Sequence, residues 1–215
     1  MSGLSAEQRD LAWLLFSLPE AAGYALAGGA ALVALQVVDR ATRDLDAFIG
    51  ARSGADPGSV EPLAHALTET LDKAGYMVRV VRRHPTFCRI VASLSGPTVE
   101  IDLAVDSPPL HPLSFVDGLP VLAPLDLAAR KILAILDRAE ARDFSDLWAL
   151  SRELGREVCV EAARQLDAGV TEAAIAGGLV NIERLTDEEF PVPITAVTTI
   201  RKWYAGWRDE LAGSG

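Results

Sequence analysis

Hydrophobic and polar positions alternate along two segments in the first half of the chain, residues 42–49 and 98–105. A period of two is typical of a strand that buries one face, so both segments are predicted to be strands. Leu45, Ala47 and Ile49 form the apolar face of the first segment. The polar faces of the two segments carry four acids: Asp44, Asp46, Glu100 and Asp102.

Other segments of the first half complete a pattern of mixed helices and strands. Strands are predicted at residues 24–27, 76–81 and 87–94, and helices at 5–17, 30–38 and 60–74. Residues 52–59 have the composition of a loop. Ser5 is a suitable N-cap for the first helix, and Gly75 is a suitable stop for the third.

The second half of the chain has the spacing of helices. Five helices are predicted, at 125–139, 144–154, 158–166, 170–179 and 194–211. Residues 107–124 hold five prolines and are predicted to be a connection without helix or central strand. The chain is therefore predicted to be an α+β protein with an α/β domain at residues 1–106, the proline-rich connection 107–124, and a helical domain at 125–215.

Composition narrows the possible environments and partners. The 215 residues carry a formal net charge of −10, which excludes a protein that holds nucleic acid by bulk charge alone. The two cysteines, Cys88 and Cys159, fit neither a disulfide framework nor a metal-ligand spacing, which indicates a cytoplasmic location. The N-terminus lacks the pattern of a signal peptide, and residues 21–38 contain too many glycines for a membrane span, so no membrane association is expected.

Asp44 and Asp46 are candidate metal ligands. On one strand face they lie about 7 Å apart, and a divalent cation would offset their repulsion. Mg²⁺ is suited to one or two carboxylates completed by substrate phosphates and water. Asp102 could be the third ligand of a two-metal site or a general base, with Glu100 as an alternative. The simpler alternative is that these acids lie on a solvated strand edge.

Three further features have a possible phosphate-binding role. Gly28 and Gly29 lie where a strand becomes a helix, and glycine lets a backbone approach a phosphate, although paired glycines are also common in tight turns. Lys131 is one of only three lysines and lies in an apolar helix, where it could contact a phosphate or simply extend to the surface. Basic side chains cluster on the two middle strands: Arg79, Arg82, Arg83, His84 and Arg89. They could follow a polyanion backbone or be ordinary exposed arginines of a hairpin.

Four separated motifs, in order, resemble the AbiEii-type nucleotidyltransferase toxins, which include the MenT toxins. The motifs are Tyr-Ala-Leu-Ala-Gly-Gly-Ala-Ala-Leu at 24–32, Arg-Asp-Leu-Asp-Ala-Phe at 43–48, Val-Glu-Ile-Asp-Leu at 99–103, and Lys131 followed by Arg138 and Arg-Asp-Phe-Ser-Asp-Leu at 142–147. The resemblance implies an N-terminal polymerase-β-like nucleotidyltransferase sheet with flanking helices, followed by a C-terminal helical bundle.

The resemblance also implies an activity and a set of partners. It implies transfer of a nucleoside monophosphate from an NTP, with Mg²⁺, to an RNA such as the 3′ end of tRNA, which blocks translation, and it implies a cognate antitoxin protein. Gly28, Gly29, Arg43 and Lys131 would bind the nucleotide, and Asp44, Asp46 and Asp102 the metal. Of the last motif, both Asp143 and Asp146 stay candidates for the catalytic acid.

Two other functions compatible with the same motifs are kept open, together with one form of regulation. A nucleotidyltransferase acting on a small molecule of the aminoglycoside kind would need a deep acidic pocket. A non-catalytic nucleotide-binding protein would be indicated by loss of Asp44 or Asp46, and both are present. Thr42 precedes Asp44 by two residues, and phosphorylation there would add about −1.5 to −2 charges beside the acids. Some MenT toxins are silenced in this way, so Thr42 is a candidate regulatory site.

Overall fold

The computed structural model describes residues 3–51 and 58–213, so most of the predicted loop at 52–59 lies outside the described residues. The chain divides into two compact units, Met1–Ala123 and Pro124–Gly215. Along the parts of the chain that the structure describes, no helix combines the length and the apolar character that a membrane span requires.

The first unit combines helices with a mixed sheet, as the alternating and helical patterns predict. Its helices are α1 (Ala6–Phe16), α2 (Gly28–Ala34) and α3 (Glu61–Lys73). Its strands are β1 (Tyr24–Ala27), β2 (Asp44–Gly50), β3 (Met77–His84), β4 (Phe87–Ser93), β5 (Val99–Asp106), β6 (Ser114–Val116) and β7 (Leu119–Val121). Ser5 is confirmed as the N-cap of α1, in a capping box with Gln8, and α3 ends just before Gly75, whose φ is +86°.

The seven strands form one sheet in the order β3-β4-β5-β2-β1-β7-β6. β2 is parallel to β5, whereas β1–β2, β3–β4 and β4–β5 are antiparallel. The apolar face of β2 and β5 is buried through Leu45, Ile101 and Leu103, each at most 1 % exposed. The period-two pattern therefore correctly divided β2 and β5 into a core face and an acid-bearing face.

The prediction that residues 107–124 hold no central strand is wrong. β6 and β7 form a hairpin there, joined by Asp117 and Gly118, both with positive φ, and β7 lies between β1 and β6. β7 contains Pro120, which lacks an N–H donor. The strand tolerates this residue because its pairing with β1 is limited to one registered pair, Leu26 and Val121.

The described residues of the second unit form helices and short 3₁₀ turns without a strand. The helices are α4 (Pro124–Asp137), α5 (Ala141–Leu154), α6 (Arg156–Leu166), α7 (Glu172–Leu179) and α8 (Ile194–Gly213). The Phe144 ring of α5 packs edge to face against the Tyr204 ring of α8 with centroids 5.1 Å apart. The Tyr204 hydroxyl donates a hydrogen bond to the Phe144 carbonyl oxygen at 2.8 Å.

Candidate active site

The acids predicted from the two alternating segments lie side by side in the sheet. The register of β2 and β5 pairs Asp44 with Glu100 and Asp46 with Asp102. Registered partners on neighbouring strands project to the same face, about 4.8 Å apart between backbones. The sheet thus gathers the four acids onto one face, a proximity that the separation of more than 50 residues along the chain does not reveal.

The row of side chains continues across the sheet from acids to bases. On β4, Arg89 is the registered partner of Asp102, and on β3, Arg82 is the partner of Arg89. The spatial order across four neighbouring strands is therefore Asp46, Asp102, Arg89 and Arg82. The charge on this face changes sign over three strand spacings, from an acidic middle to a basic edge.

A β-bulge at Val81 determines which basic side chains share the acid-bearing face. The register of β3 shifts between Val80 and Arg82, so one extra residue reverses the alternation. Arg79, before the bulge, and Arg82, after it, consequently face the same way as Arg89. The Arg82 guanidinium lies 5.3 Å from the centroid of the Phe87 ring on that face.

The predicted basic cluster is divided by this register. Arg79, Arg82 and His84 lie on the acid-bearing face and are exposed. Arg83 lies on the opposite face, where its Nε contacts Glu61 Oε1 of α3 at 3.1 Å. Arg89 is engaged by acids of β5. The cluster is therefore not a single basic surface. Only the three β3 residues on the acid-bearing face, Arg79, Arg82 and His84, form a basic strip beside the acids.

Asp102 is bound by Arg89 through both carboxylate oxygens. Arg89 Nε donates to Oδ1 at 2.8 Å and Nη2 to Oδ2 at 2.6 Å, while Nη1 lies 3.3 Å from Glu100 Oε2. The hydrogen bond to Asp102 raises the pKa of Arg89 above its already high usual value. Sequence reasoning missed this pair, although the alternation with the apolar Cys88, Ile90 and Ala92 indicates that Arg89 lies on the face away from the core.

The first glycine of the pair is required by Asp46. Ala27 is the registered partner of Asp46, so the chain turns into α2 directly beside that carboxylate. Gly28 has a φ of +58°, and a Cβ added to it would lie 1.8 Å from Asp46 Oδ2. A side chain at residue 28 would therefore displace the carboxylate.

The second glycine faces two residues of the segment before β2. A Cβ on Gly29 would lie 2.9 Å from Arg40 Nη2 and 3.0 Å from Thr42 Oγ1. Thr42 is half-buried, and its carbonyl oxygen accepts a hydrogen bond from Gln8 Nε2 at 2.9 Å. β2 begins at Asp44, so Thr42 precedes the strand instead of lying on it as predicted for residues 42–49. The Thr42 hydroxyl nevertheless lies beside the double glycine. Arg43 is exposed.

The remaining predicted site residues lie together in the second unit. Lys131 Nζ is 3.0 Å from Asp143 Oδ1 and 2.8 Å from Asp146 Oδ2, and both aspartates are fully buried. Arg138 adds a bidentate contact to Asp143, and the Glu140 amide donates to Asp143 Oδ2 at 3.3 Å. Asp143 is thus the third residue of α5 and forms a capping box with the N-cap Glu140.

The charges around Asp143 set its protonation. Burial by itself raises the pKa of this carboxyl group, but the Lys131 ammonium and the Arg138 guanidinium together lower the pKa below its usual value. Asp143 is therefore an anion in the folded protein. Lys131 itself is 6 % exposed, so its positive charge is held inside the unit between two negative charges.

The donor set on β2 fits Mg²⁺, whereas Asp102 is bound to Arg89. Asp44 and Asp46 are half-buried and supply the two carboxylates that this ion commonly takes from a protein. Both oxygens of Asp102 are already bonded to Arg89. The described part of the chain contains no group of three or more His, Cys, Asp or Glu side chains arranged to hold a metal ion.

Solved structures with the same fold include one that is assigned as a nucleotidyltransferase. A protein from H. pylori that is assigned as a nucleotidyltransferase superposes with a TM-score of 0.58 at 13 % identity, over 99 % of both chains. JHP933 from Helicobacter pylori gives 0.56 at 15 % identity, over 99 % of this chain and 96 % of that one. The antibiotic-resistance factor ANT(2'')-Ia gives 0.52 at 14 % identity, over 77 % of this chain and 94 % of that one.

Sequence comparison gives the family directly. Curated protein sequences yield no significant match. The family model for the nucleotidyl transferase AbiEii toxin of type IV toxin–antitoxin systems matches residues 13–205, which include every predicted site residue. The chain belongs to the AbiEii family of nucleotidyltransferase toxins.

Proposed function

We propose that this protein transfers a nucleoside monophosphate from an NTP to an RNA acceptor, the 3′ end of tRNA, and thereby blocks translation. The observation that carries the proposal is the row Asp46, Asp102, Arg89 and Arg82 across neighbouring strands, which sets an acidic pair beside a basic edge. The acids would bind the metal ion that accompanies a triphosphate, and the basic edge would bind the phosphate backbone of the acceptor.

Asp44 and Asp46 would hold Mg²⁺ together with the triphosphate. The ion would supply the positive charge that neutralises the phosphate oxygens. Asp46 Oδ2 lies where a Cβ on residue 28 would be, so the carboxylate lies directly against the backbone at the start of α2. By resemblance to the family, Gly28, Gly29 and Arg43 hold the triphosphate at this point.

The transfer itself needs little covalent assistance from the protein. The oxygen of the acceptor hydroxyl forms a bond to the α-phosphorus, and the bond from that phosphorus to the bridging oxygen breaks. The electron pair leaves with pyrophosphate, and the hydroxyl proton passes to water. Positioning of the two reactants and stabilisation of charge are the contributions expected of the protein in reactions of this type.

The basic strip of Arg79, Arg82 and His84 would bind the RNA backbone. All three residues are exposed on the acid-bearing face, and arginine forms bidentate contacts with phosphate. Arg82 lies three strand spacings from Asp46, about 14 Å, which is compatible with a backbone phosphate bound at the edge while the terminal nucleotide reaches the acids. A small-molecule acceptor would not need this strip, so the strip favours RNA over an aminoglycoside as the acceptor.

Lys131, Asp143 and Asp146 can have a structural role in addition to the catalytic one that the family resemblance implies. Asp143 accepts hydrogen bonds from Lys131, Arg138 and the Glu140 amide, which accounts for it as a structural residue. We therefore assign the functional acid of this motif to Asp146. A lysine ammonium has three donors, so Lys131 can contact a triphosphate oxygen while it keeps both aspartates.

The experiment that tests this function uses the four labelled NTPs one at a time, with Mg²⁺ and total tRNA. We expect label in tRNA with wild-type protein and none with Asp46→Asn, which keeps the volume of the side chain but removes its charge. Glu69→Gln, an exposed charge change on α3, is the matched control and keeps full transfer. Label in RNA with Asp46→Asn at the wild-type rate would contradict the assignment.

The acceptor is tested in the same assay. Arg79→Gln/Arg82→Gln is expected to lower transfer to tRNA at limiting RNA concentration by raising KM, and this loss should grow with salt. Transfer to an aminoglycoside but not to tRNA would replace the RNA acceptor with a small molecule. Binding of NTP without any transfer would indicate the non-catalytic alternative.

Regulation at Thr42 is the last part of the proposal. The family implies a cognate antitoxin. Thr42 Oγ1 lies beside Gly29, so a phosphate on that oxygen would lie where the triphosphate is expected. The added charge of about −1.5 to −2 would compete with the nucleotide for the same positive groups. We propose that phosphorylation of Thr42 by the antitoxin silences the enzyme.

A further inference from the structure

We infer that Arg89 is a built-in cation at Asp102, so that the site binds a single metal ion, on Asp44 and Asp46. The inference rests on the proposed function and adds to it the number of metal ions and the role of one residue. It departs from the prediction that Asp102 is a metal ligand, and it makes Arg89 a positioning residue.

Arg89 occupies one acceptor site on each carboxylate oxygen of Asp102. The guanidinium meets the carboxylate side on, with one nitrogen on each oxygen at 2.8 and 2.6 Å. This bidentate arrangement is the strongest geometry available to an arginine–carboxylate pair. A cation bound to Asp102 would either displace these charge-assisted hydrogen bonds or lie next to the positive charge of Arg89.

Burial and register hold the pair in place. Asp102 is 7 % exposed and is flanked on β5 by the fully buried Ile101 and Leu103. Arg89 is its registered partner on β4, so the backbones on both sides of the pair belong to the same ladder. Asp102 is the buried partner, so loss of Arg89 would leave its charge without compensation, which proteins strongly avoid.

The position of Arg89 allows one side chain to neutralise several acids. Besides Asp102, it contacts Glu100 at 3.3 Å, and the charge of Asp44 acts on it as well. A second metal ion would bring positive charge to the same acids. A covalently attached guanidinium supplies that charge at any metal concentration, and its 40 % exposed side chain leaves part of it accessible.

The test counts bound metal ions with Mn²⁺ in place of Mg²⁺. Mn²⁺ is titrated into nucleotide-free protein, and the bound fraction is measured from the loss of the EPR signal of the free ion. We expect one ion in the wild type, two in Arg89→Gln, and one again in Arg89→Gln/Asp102→Asn. The matched control is Arg82→Gln, the next arginine in the same row, which should keep one ion. Circular dichroism verifies that each variant is folded.

Two ions in the wild type, one ion in Arg89→Gln, or no bound ion at all would each overturn the inference. If Arg89→Gln does not fold, Asp102→Asn alone decides the question, because it should keep one ion with less than a threefold change in Kd. A tenfold weaker Kd in Asp102→Asn would identify Asp102 as a ligand. Transfer to tRNA is measured separately, so the proposed function can fail or survive independently of the metal count.

Discussion

Gly28 and Asp46 form a contact that leaves no room for a side chain at residue 28. The Asp46 carboxylate lies against the glycine backbone, and an added Cβ would be 1.8 Å from Oδ2. Gly28→Ala should therefore displace the carboxylate and abolish nucleotide transfer. Transfer of label from NTP to tRNA is the measurement.

A matched control separates this displacement from backbone strain. Gly75 also has a positive φ, +86°, but the nearest atom to an added Cβ is 3.8 Å away. Gly75→Ala and Gly28→Ala should both lose about 1–2 kcal/mol of stability from the left-handed backbone, but Gly75→Ala should remain active. Equal transfer by the two variants would show that the Gly28–Asp46 contact is not needed.

Lys131 is expected to stabilise the second unit strongly, in contrast to the small effect that a surface phosphate ligand would have. Lys131→Met leaves Asp143 and Asp146 buried with less positive charge nearby. Breaking a buried pair in this way costs about 3–5 kcal/mol. Urea unfolding measures the loss.

The exposed lysine of α8 provides the comparison for this measurement. Lys202→Met removes the same charge from the same unit at an exposed position and should change stability by less than about 0.5 kcal/mol. Similar stability of the two variants would mean that the contacts of Lys131 contribute little. If Lys131→Met kept full stability but lost transfer, phosphate binding would be the only role of Lys131.

Tyr24 carries a buried hydroxyl that has no hydrogen-bond partner among the described residues. Tyr24→Phe should therefore keep or increase stability, by up to about 1 kcal/mol, because no hydrogen bond is lost. Tyr204→Phe is the opposite case, since it removes the bond to the Phe144 carbonyl and should cost about 1 kcal/mol. A clear loss of stability in Tyr24→Phe would reveal a partner for this hydroxyl.

The same tyrosine predicts a pH dependence. Burial raises the pKa of Tyr24 to about 12 from its ordinary value of 10.0. The neutral form is thus favoured in the folded state, and its contribution to stability is complete below pH 10 and is lost as the pH rises toward 12. Stability of Tyr24→Phe should decline less than that of the wild type over this interval, as measured by urea unfolding at several pH values.

Thr42 allows the proposed regulation to be tested without the antitoxin. Thr42→Glu introduces part of the charge of a phosphate beside Gly29 and should lose most transfer activity, whereas Thr42→Val should keep it. Neither change removes the backbone carbonyl that accepts from Gln8, so both variants should fold. Indistinguishable rates would exclude a charge-operated switch at Thr42.

Local sequence patterns predicted the elements of the site but not the contacts between them. The alternation around Asp44 and around Asp102 is a property of each segment, and it correctly placed the acids on polar faces. The partner of Asp102 depends on which strand lies beside β5 and in which register. That pairing is set by packing across the sheet, so the bidentate contact with Arg89 cannot be predicted from either segment alone.

Two other features escaped prediction for related reasons. A single extra residue at Val81 leaves no compositional signal, yet it reverses the face of every later residue on β3. Lys131 appears in the sequence as an isolated charge on an apolar helix. Its two carboxylate partners lie on the next helix, and only tertiary packing brings them to 3.0 and 2.8 Å.

The exposed edge of the sheet has a consequence for solubility. β3 is the terminal strand of the sheet, and Met77, Val80 and Val81 are at least 43 % exposed along it. Such an edge invites strand-to-strand aggregation between copies of a protein. The bulge at Val81 and the arginines interleaved with these apolar residues oppose that association, because they distort the edge and repel a second copy. Polar glutamine is therefore a safer replacement than leucine or valine wherever the arginines of this strand are altered.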